Sequence, residues 1–533
     1  MKKRFICVIA FASLVFLLSC TIKQTQNVPK ASITDDLLVK VLGINDFHGQ
    51  VLANAKGPSG GMYLLANHLL KEIESTQSHT FVLHGGDHVG ASPAESALLQ
   101  DEPSITFLNK LNDYCQQTRK GKCQIMGTAG NHEFDEGSAE MLRLLNGGNH
   151  KKGPFLQPNW KGANYTTLSA NVIDLESETL ILPPYAVHNV NGIDIGFIGL
   201  TLDTTPNIVL PGAVDNLRFQ DQATIAQKYT KELQSKGIEA IIIVVHDGAR
   251  ADYYAGPTKA ESGIPQDSDF MAFLKALPSA VDLVVTGHSH RFTNAYVDNS
   301  EGHTMLVTQA FSSGRAYADI ELRINKVSKD ISYASAQIFK VEKEDLSGLS
   351  DAAIATLASI GQTIGGATQF AKRYTERVIN TFEASSTQIS LGEFIANTHQ
   401  YALKSDLALM NRGGVRASIN EGPLTWGQLF AVQPFSNQLM VRRYSGSQLQ
   451  SLVNERNYWS SNVKILANGN IILNGEPLQQ NAYYTLGGNN FIMGSEEFAV
   501  GEFIRLGVED IEATQNYIEL LPTPFSFADK PSH

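Results

Sequence analysis

An α/β layered sandwich followed by a second, smaller α+β domain is the fold this sequence predicts, on three observations. Short apolar runs recur at residues 39–44, 81–83, 240–245 and 281–285, each followed by a cluster of Asp, Asn or His. Such runs read as buried strands, and the carboxyl ends of strands are where an open α/β sheet builds its site. Between the runs lie stretches with helical apolar spacing. Beyond about residue 370 the pattern changes to a helix and scattered β-type runs, and 533 residues are in any case too many for one core.

In chain order, residues 1–20 carry a basic start (Lys2, Lys3, Arg4), an apolar core at 5–18 and the ending Leu17-Leu18-Ser19-Cys20, which reads as an export signal. It resembles a bacterial lipoprotein signal, whose cleavage leaves Cys20 as a lipidated N-terminus on a membrane facing the periplasm or the cell exterior. An ordinary signal peptide or a short anchor is the alternative. Residues 21–34, polar and containing Pro29, read as a tether, and no later segment is long and apolar enough to span a bilayer.

The first domain is expected over residues 35–345. After its first strand, Met62, Leu65, Ala66, Leu69 and Ile73 repeat at helical spacing; further helices are expected at 220–236 and 269–277, each ahead of a strand. Residues 147–167, rich in Gly, Pro and Asn, look like a surface insertion. With Cys7 and Cys20 set aside, Cys115 and Cys123 remain, close in sequence and bound for an oxidising compartment; a small-loop disulfide is expected, two free buried thiols being the alternative. Residues 346–370 read as a linker helix that Gly361, Gly365 and Gly366 interrupt and could loosen, and residues 371–533 as the second domain, with a helix at 391–403 and β-type runs at 438–444 and 471–473.

The chemistry centres on Gly130-Asn131-His132-Glu133-Phe134-Asp135. Asn131 can offer an amide oxygen to a metal, while His132 and Asp135, three apart at an expected helix start, share a face so that the carboxylate can orient the ring. Alone, this turn reads equally well as a capped helix start with solvated side chains. Its companions are Asp46 and His48, Asp87, His246, and His288 with His290. Five polar clusters in one strand-end context point to a shared metal-ligating centre rather than to scattered surface histidines. Glu133 reads as structural, and His84 and His88 as supports of Asp87 or as solvated side chains.

These residues, in the order Asp-x-His, Gly-Asp, Gly-Asn-His-Glu, His and Gly-His-x-His, resemble the calcineurin-like metallophosphatases and, within them, the exported 5′-nucleotidases. The resemblance implies a four-layer α/β/β/α metallophosphatase sandwich and two divalent ions of Zn, Mn, Mg or Co type. Asp46, His48 and His290 would hold one ion, Asn131, His246 and His288 the other, and Asp87 would bridge them. Some members of the family carry Gln or Asn where this chain has His290, and an imidazole there suits a transition metal at least as well. His132, steered by Asp135, would stabilise the transferring phosphoryl group and help protonate the leaving oxygen.

The likeness resumes in Asn411-Arg412-Gly413-Gly414-Val415-Arg416, Gln433-Pro434-Phe435 and Gly487-Gly488-Asn489-Asn490-Phe491, making the second domain a substrate-binding one. Asn411 and Arg416 would contact the nucleotide, and Phe435 and Phe491 would sandwich its base. An arginine fork suits phosphate and aromatic faces stack any base. Two departures stand out. Gly494-Ser495-Glu496-Glu497-Phe498 lacks the ribose-contacting Asp of relatives, and Lys404 stands near where they carry an Arg.

With 43% hydrophobic residues, 18% charged residues and a formal net charge of -11, the chain is ordinary globular protein and lacks the basic surface that a nucleic-acid polymer would require. The expected function is hydrolysis of nucleoside 5′-phosphates outside the cytoplasm. The alternatives are a nucleotide-sugar pyrophosphatase or cyclic-nucleotide phosphodiesterase on the same site, or a non-catalytic nucleoside-binding lipoprotein.

Overall fold

The computed structural model describes residues 36–531 apart from residues 54–59, 211, 250, 252–253 and 436. The export signal, Cys20 and all of the tether lie outside the described residues.

Leu37–Ile44, His79–His84, Cys123–Thr128 and Thr166–Leu168 run parallel in one six-stranded sheet, which Ala316–Ile324 and Ile331–Lys340 extend in antiparallel fashion. A second six-stranded sheet has the order Phe292–Asp298, Thr304–Ala310, Val281–Val285, Ala240–Val245, Ile193–Leu200 and Tyr185–Val190, its central four strands parallel. The unbroken apolar run Ala240–Val245 follows from this layering. Ala240, Ile242 and Val244 face the core between the sheets, whereas Ile241, Ile243 and Val245 face the helices outside.

Met62–Glu74 and Glu102–Thr118 cover the first sheet, with Met62, Leu65, Ala66, Leu69 and Ile73 buried as their spacing predicts. Gln222–Ser235 and Asp269–Ala276 cover the second, completing four α/β/β/α layers. Cys115, near the end of the helix, and Cys123, first in the adjacent strand, are joined as a disulfide with their Cα atoms 5.0 Å apart.

Three local expectations are corrected. Gly361, Gly365 and Gly366 do not interrupt their helix, which runs unbroken over Asp351–Thr375 and so past residue 370. Ala353, Leu357, Ile360 and Ala367 bury one face of it against the first sheet's helices, so tertiary packing outweighs a glycine cost of about 1 kcal/mol each. His132 opens a three-residue 3-10 turn, His132–Phe134, and the α-helix begins only at Ser138. The end of the insertion, Thr166–Leu168, is the edge strand of the first sheet.

In the second domain the sheet order is Asn457–Trp459, Leu407–Asn411, Tyr483–Asn489, Gln438–Ser445 and Glu502–Glu509. Helices Gln388–Leu403 and Asp510–Glu519 share a core on it, through residues such as Phe394, Ile395 and Ile518. Among the described residues no helix is long and apolar enough to cross a membrane.

Candidate active site

Five loops leave the carboxyl ends of the parallel strands and bring the sequence-predicted residues together. Asp46 and His48 follow Leu37–Ile44, Asp87 follows His79–His84, Asn131 follows Cys123–Thr128, and His246, His288 and His290 follow the strands at 240–245 and 281–285. Asp46, His48, Asp87, His288 and His290 all have positive φ, between 49 and 68°. Such backbone is strained for residues with a side chain, and it turns the ligating groups of short loops toward one point.

Ligand atoms of Asp46, His48, Asp87 and His290 lie within 4.8 Å of one another, and so do those of Asp87, His246 and His288. Asp87 belongs to both groups, the position expected of a bridging carboxylate. The Asn131 amide oxygen lies 3.0 Å from His246 Nε2 and 3.1 Å from His288 Nδ1, which places it in the second group. His48 Nε2 faces His290 Nε2 at 2.9 Å. Burial pushes His48 down to about 3 and His288 down to about 4, so both rings are neutral at ordinary pH, His48 turned to His290 and His288 to the Asn131 amide oxygen. Converging imidazole lone pairs and carboxylates are a donor set that a divalent cation satisfies, so these residues fit two such ions.

The surrounding groups hold these atoms in place. His48 Nδ1 is 2.9 Å from the Gly90 carbonyl and His246 Nδ1 2.7 Å from that of Gly85; a proton donated there leaves each Nε2 free. Asn45 donates to Asp46 Oδ2 at 2.5 Å while its own oxygen accepts from the Ala310 amide at 2.7 Å. A Cβ on Gly130 would stand 2.2 Å from Asp87 Oδ1, so only glycine fits beside the Asp87 carboxylate. Glu133 accepts the backbone amides of Asp87 at 3.0 Å, His88 at 2.8 Å and Gly130 at 2.5 Å, clasping two of the loops.

His84 and His88 are buried, which removes the solvated reading. His88 stacks on Phe47 at 5.0 Å and its Nε2 lies 2.9 Å from the Ser104 carbonyl. The anchoring role of Asn45 was not read from the sequence, where only its place beside Asp46 hinted at it.

His132 stands beside the ligands. Its Nδ1 is 2.6 Å from Asp135 Oδ2, and its backbone amide donates to Asp87 Oδ1 at 2.9 Å. Burial opposes charge on this ring, yet the carboxylates of Asp135 and Asp87 hold it up at about 9. A proton-carrying imidazole beside two converging anionic groups suits a phosphoryl oxygen.

Two of the four second-domain residues reach this point. The Phe435 ring stacks on His132 with centroids 6.2 Å apart and planes 15° from parallel. The Arg416 guanidinium lies 5.6 Å over the same Phe435 ring, within electrostatic reach of Asp135 and Asp87. Asn489 links the segments of Asn411 and Phe491: it donates to Asn411 Oδ1 at 3.0 Å, and its own oxygen caps the short helix Asn490–Met493 that carries Phe491. Gln438, just after Phe435, donates its amide to Asn490 Oδ1 at 3.1 Å, tying the two phenylalanine segments. Both rings are only partly buried, whereas Phe498, in the segment that departs from the family pattern, is a fully buried core residue.

Comparison with known proteins agrees with this two-domain fold. Residues 39–292 match the family model for calcineurin-like phosphoesterases, and residues 360–502 that for the 5′-nucleotidase C-terminal domain. The chain is 29% identical to Endonuclease YhcR of Bacillus subtilis across 97% of this chain and 42% of that protein, so it spans less than half of that relative. It is 26% identical to a 5′-nucleotidase of Vibrio cholerae across 90% of each chain. The crystal structure of a 5′-nucleotidase precursor from Thermus thermophilus shares the fold with a TM-score of 0.67 at 21% identity, covering 91% of this chain and 96% of its own.

Proposed function

We propose that this chain, which belongs to the family joining a calcineurin-like phosphoesterase domain to a 5′-nucleotidase C-terminal domain, hydrolyses nucleoside 5′-phosphates to nucleoside and inorganic phosphate. The observation that carries the reading is the meeting of Phe435 and Arg416 from one domain with His132 and Asp135 from the other. A base-stacking face, a phosphate fork and a proton donor then lie within one substrate length of the ligand groups.

Two divalent ions held by Asp46, His48, His290, Asn131, His246, His288 and the shared Asp87 would, when bound, supply an activated water and neutralise phosphate charge. Arg416 would take two phosphate oxygens with its planar fork. Asp135 would hold the Nδ1 proton of His132, so that Nε2 faces the phosphoryl group and gives its proton to the departing 5′-oxygen. Phe435 and Phe491 would stack the base and Asn411 would position the nucleoside, converting binding into alignment of the reacting atoms. Nucleotide-sugar or cyclic-nucleotide cleavage at the same site is the second reading, favoured by the missing ribose-contacting Asp in residues 494–498.

Release of phosphate from mononucleotides, and of phosphate monoesters from nucleotide sugars and cyclic nucleotides, measured with and without chelator, tests the assignment. Chelator-sensitive turnover highest on nucleoside 5′-phosphates is expected, and inactivity on all of them refutes it. Export and lipid anchoring through Cys20 belong to the same proposal, supported by the Leu-Leu-Ser-Cys ending. Cys20→Ala should shift the protein from the detergent to the aqueous phase with turnover unchanged.

A further inference from the structure

The ligand loops leave the carboxyl ends of the parallel strands, and the mechanism above uses nothing at the opposite end of the first domain. There Leu37 pairs with Ile324, Val39 with His79 and Thr80 with Cys123, so the first described residues, the hairpin turn at 325–330 and the turn at 119–122 stand along one edge. These turns carry Arg119, Lys120, Lys122, Lys326 and Lys329, against Asp36, Asp330 and, in a turn of the second sheet, Glu239, in a chain of net charge -11. Asp36, His79, Lys122 and Lys326 also line a cavity of about 560 Å³. Between Lys326 and Lys329, Val327 is 93% exposed. Its turn is well formed: Asn325 Oδ1 accepts the amides of Val327 at 2.9 Å and Ser328 at 3.0 Å, and the Asn325 carbonyl accepts that of Lys329 at 2.8 Å.

One exposed valine is ordinary on a soluble surface. This one is set apart by its flanking lysines and by its place beside Asp36, where the chain arrives from Cys20 through residues 21–34. A segment of that length spans at most about 50 Å, so a lipid on Cys20 holds this end within that distance of a bilayer. We propose that this end of the first domain docks on an anionic phospholipid surface, with Lys122, Lys326 and Lys329 against headgroup phosphates and Val327 among the headgroups, leaving the ligand loops on the far side. The inference rests on the reading of Cys20 as a lipid anchor for its approach to the bilayer, and adds a second contact made by the folded domain itself. Each lysine near such a surface contributes about a fivefold gain in partitioning, which salt screens.

The test is vesicle sedimentation of residues 21–533, the chain without signal or lipidated cysteine, which keeps every described residue. The vesicles are phosphatidylcholine alone, or phosphatidylcholine and phosphatidylglycerol in equal parts, at low and at high salt. Sedimentation with the anionic vesicles at low salt is expected, with little on neutral vesicles or at high salt. Lys326→Gln combined with Lys329→Gln should lower that partitioning roughly thirtyfold, and Val327→Asp about fivefold; all three positions are exposed, so the core stays intact. Arg456→Gln combined with Lys464→Gln removes the same charge from exposed positions of the second domain and should leave partitioning within twofold. Equal losses in the two double variants would mean that net charge alone is read, and overturn the docking face. Equal sedimentation with neutral vesicles, or none with either, overturns it too. Such a failure leaves the anchor standing, because detergent partitioning of the lipidated chain against Cys20→Ala decides that separately.

Discussion

Removing the His132 side chain separates catalysis from metal binding, because the two are carried by different atoms of one residue. The ring is absent from both ligand groups, and the link from residue 132 to the bridging carboxylate runs through its backbone amide, 2.9 Å from Asp87 Oδ1. His132→Ala keeps that amide, so both ion sites lose no donor and no anchoring hydrogen bond. What it does lose is the imidazole that Asp135 holds at 2.6 Å, with its proton and its charge beside the phosphoryl position. A positioned acid or charge stabiliser is worth roughly two to four orders of magnitude, or about 3 to 5 kcal/mol of transition-state stabilisation. Phosphate release measured alongside elemental analysis of the purified variant should show that loss in kcat at unchanged metal content. Asp135→Asn should give a smaller loss in the same direction, since the ring remains but is no longer held. Metal lost in proportion to activity in His132→Ala would mean that the imidazole is a ligand, and the division of roles between Asn131 and His132 would be wrong.

Asp87→Asn should lower the content of both ions together, since one carboxylate lies in both ligand groups; loss of a single equivalent in elemental analysis contradicts the bridging role. Cys123→Ala opens a loop of sequence separation 8 and should cost roughly 2 to 3 kcal/mol in denaturant unfolding by the loop-entropy relation, a midpoint equal to wild type being the contrary result. Asp510 is buried at the start of the helix Asp510–Glu519, and burial pushes its carboxyl from 3.8 up to about 7. The folded state therefore keeps a proton that the unfolded state loses. The stabilising contribution is full below pH 4 and is lost as pH rises toward 7, at about 1.4 kcal/mol per unit and roughly 4 kcal/mol in all. Asp510→Asn lacks that dependence, so its stability relative to wild type should climb between pH 4 and 7 and level off above; a constant offset across that range rules out a buried, proton-holding carboxyl.

Periodicity and strand-end context made the first domain legible from the chain alone. Strands with both faces covered run largely apolar, which is why residues 240–245 and, Asp282 apart, 281–285 stand out, and the candidate ligands follow such strands within a few residues. Short-range chemistry was legible for the same reason: Asp46 and His48, His132 and Asp135, and Cys115 and Cys123 are near neighbours whose geometry local backbone largely determines. The continuity of the helix through Gly361, Gly365 and Gly366 was not, because propensity counts about 1 kcal/mol against each glycine and cannot see Leu357, Ile360 and Ala367 packing under them. Nor could the chain say that Glu133 would gather the amides of residues 87, 88 and 130, or that His84 and His88 would be buried, since both depend on how separate loops stack. Residue types and their order determined what chemistry the protein carries. Only the tertiary structure decided that Phe435 would face His132 across some three hundred residues of chain, because contact between domains is set by the packing of whole surfaces and leaves no local pattern to read.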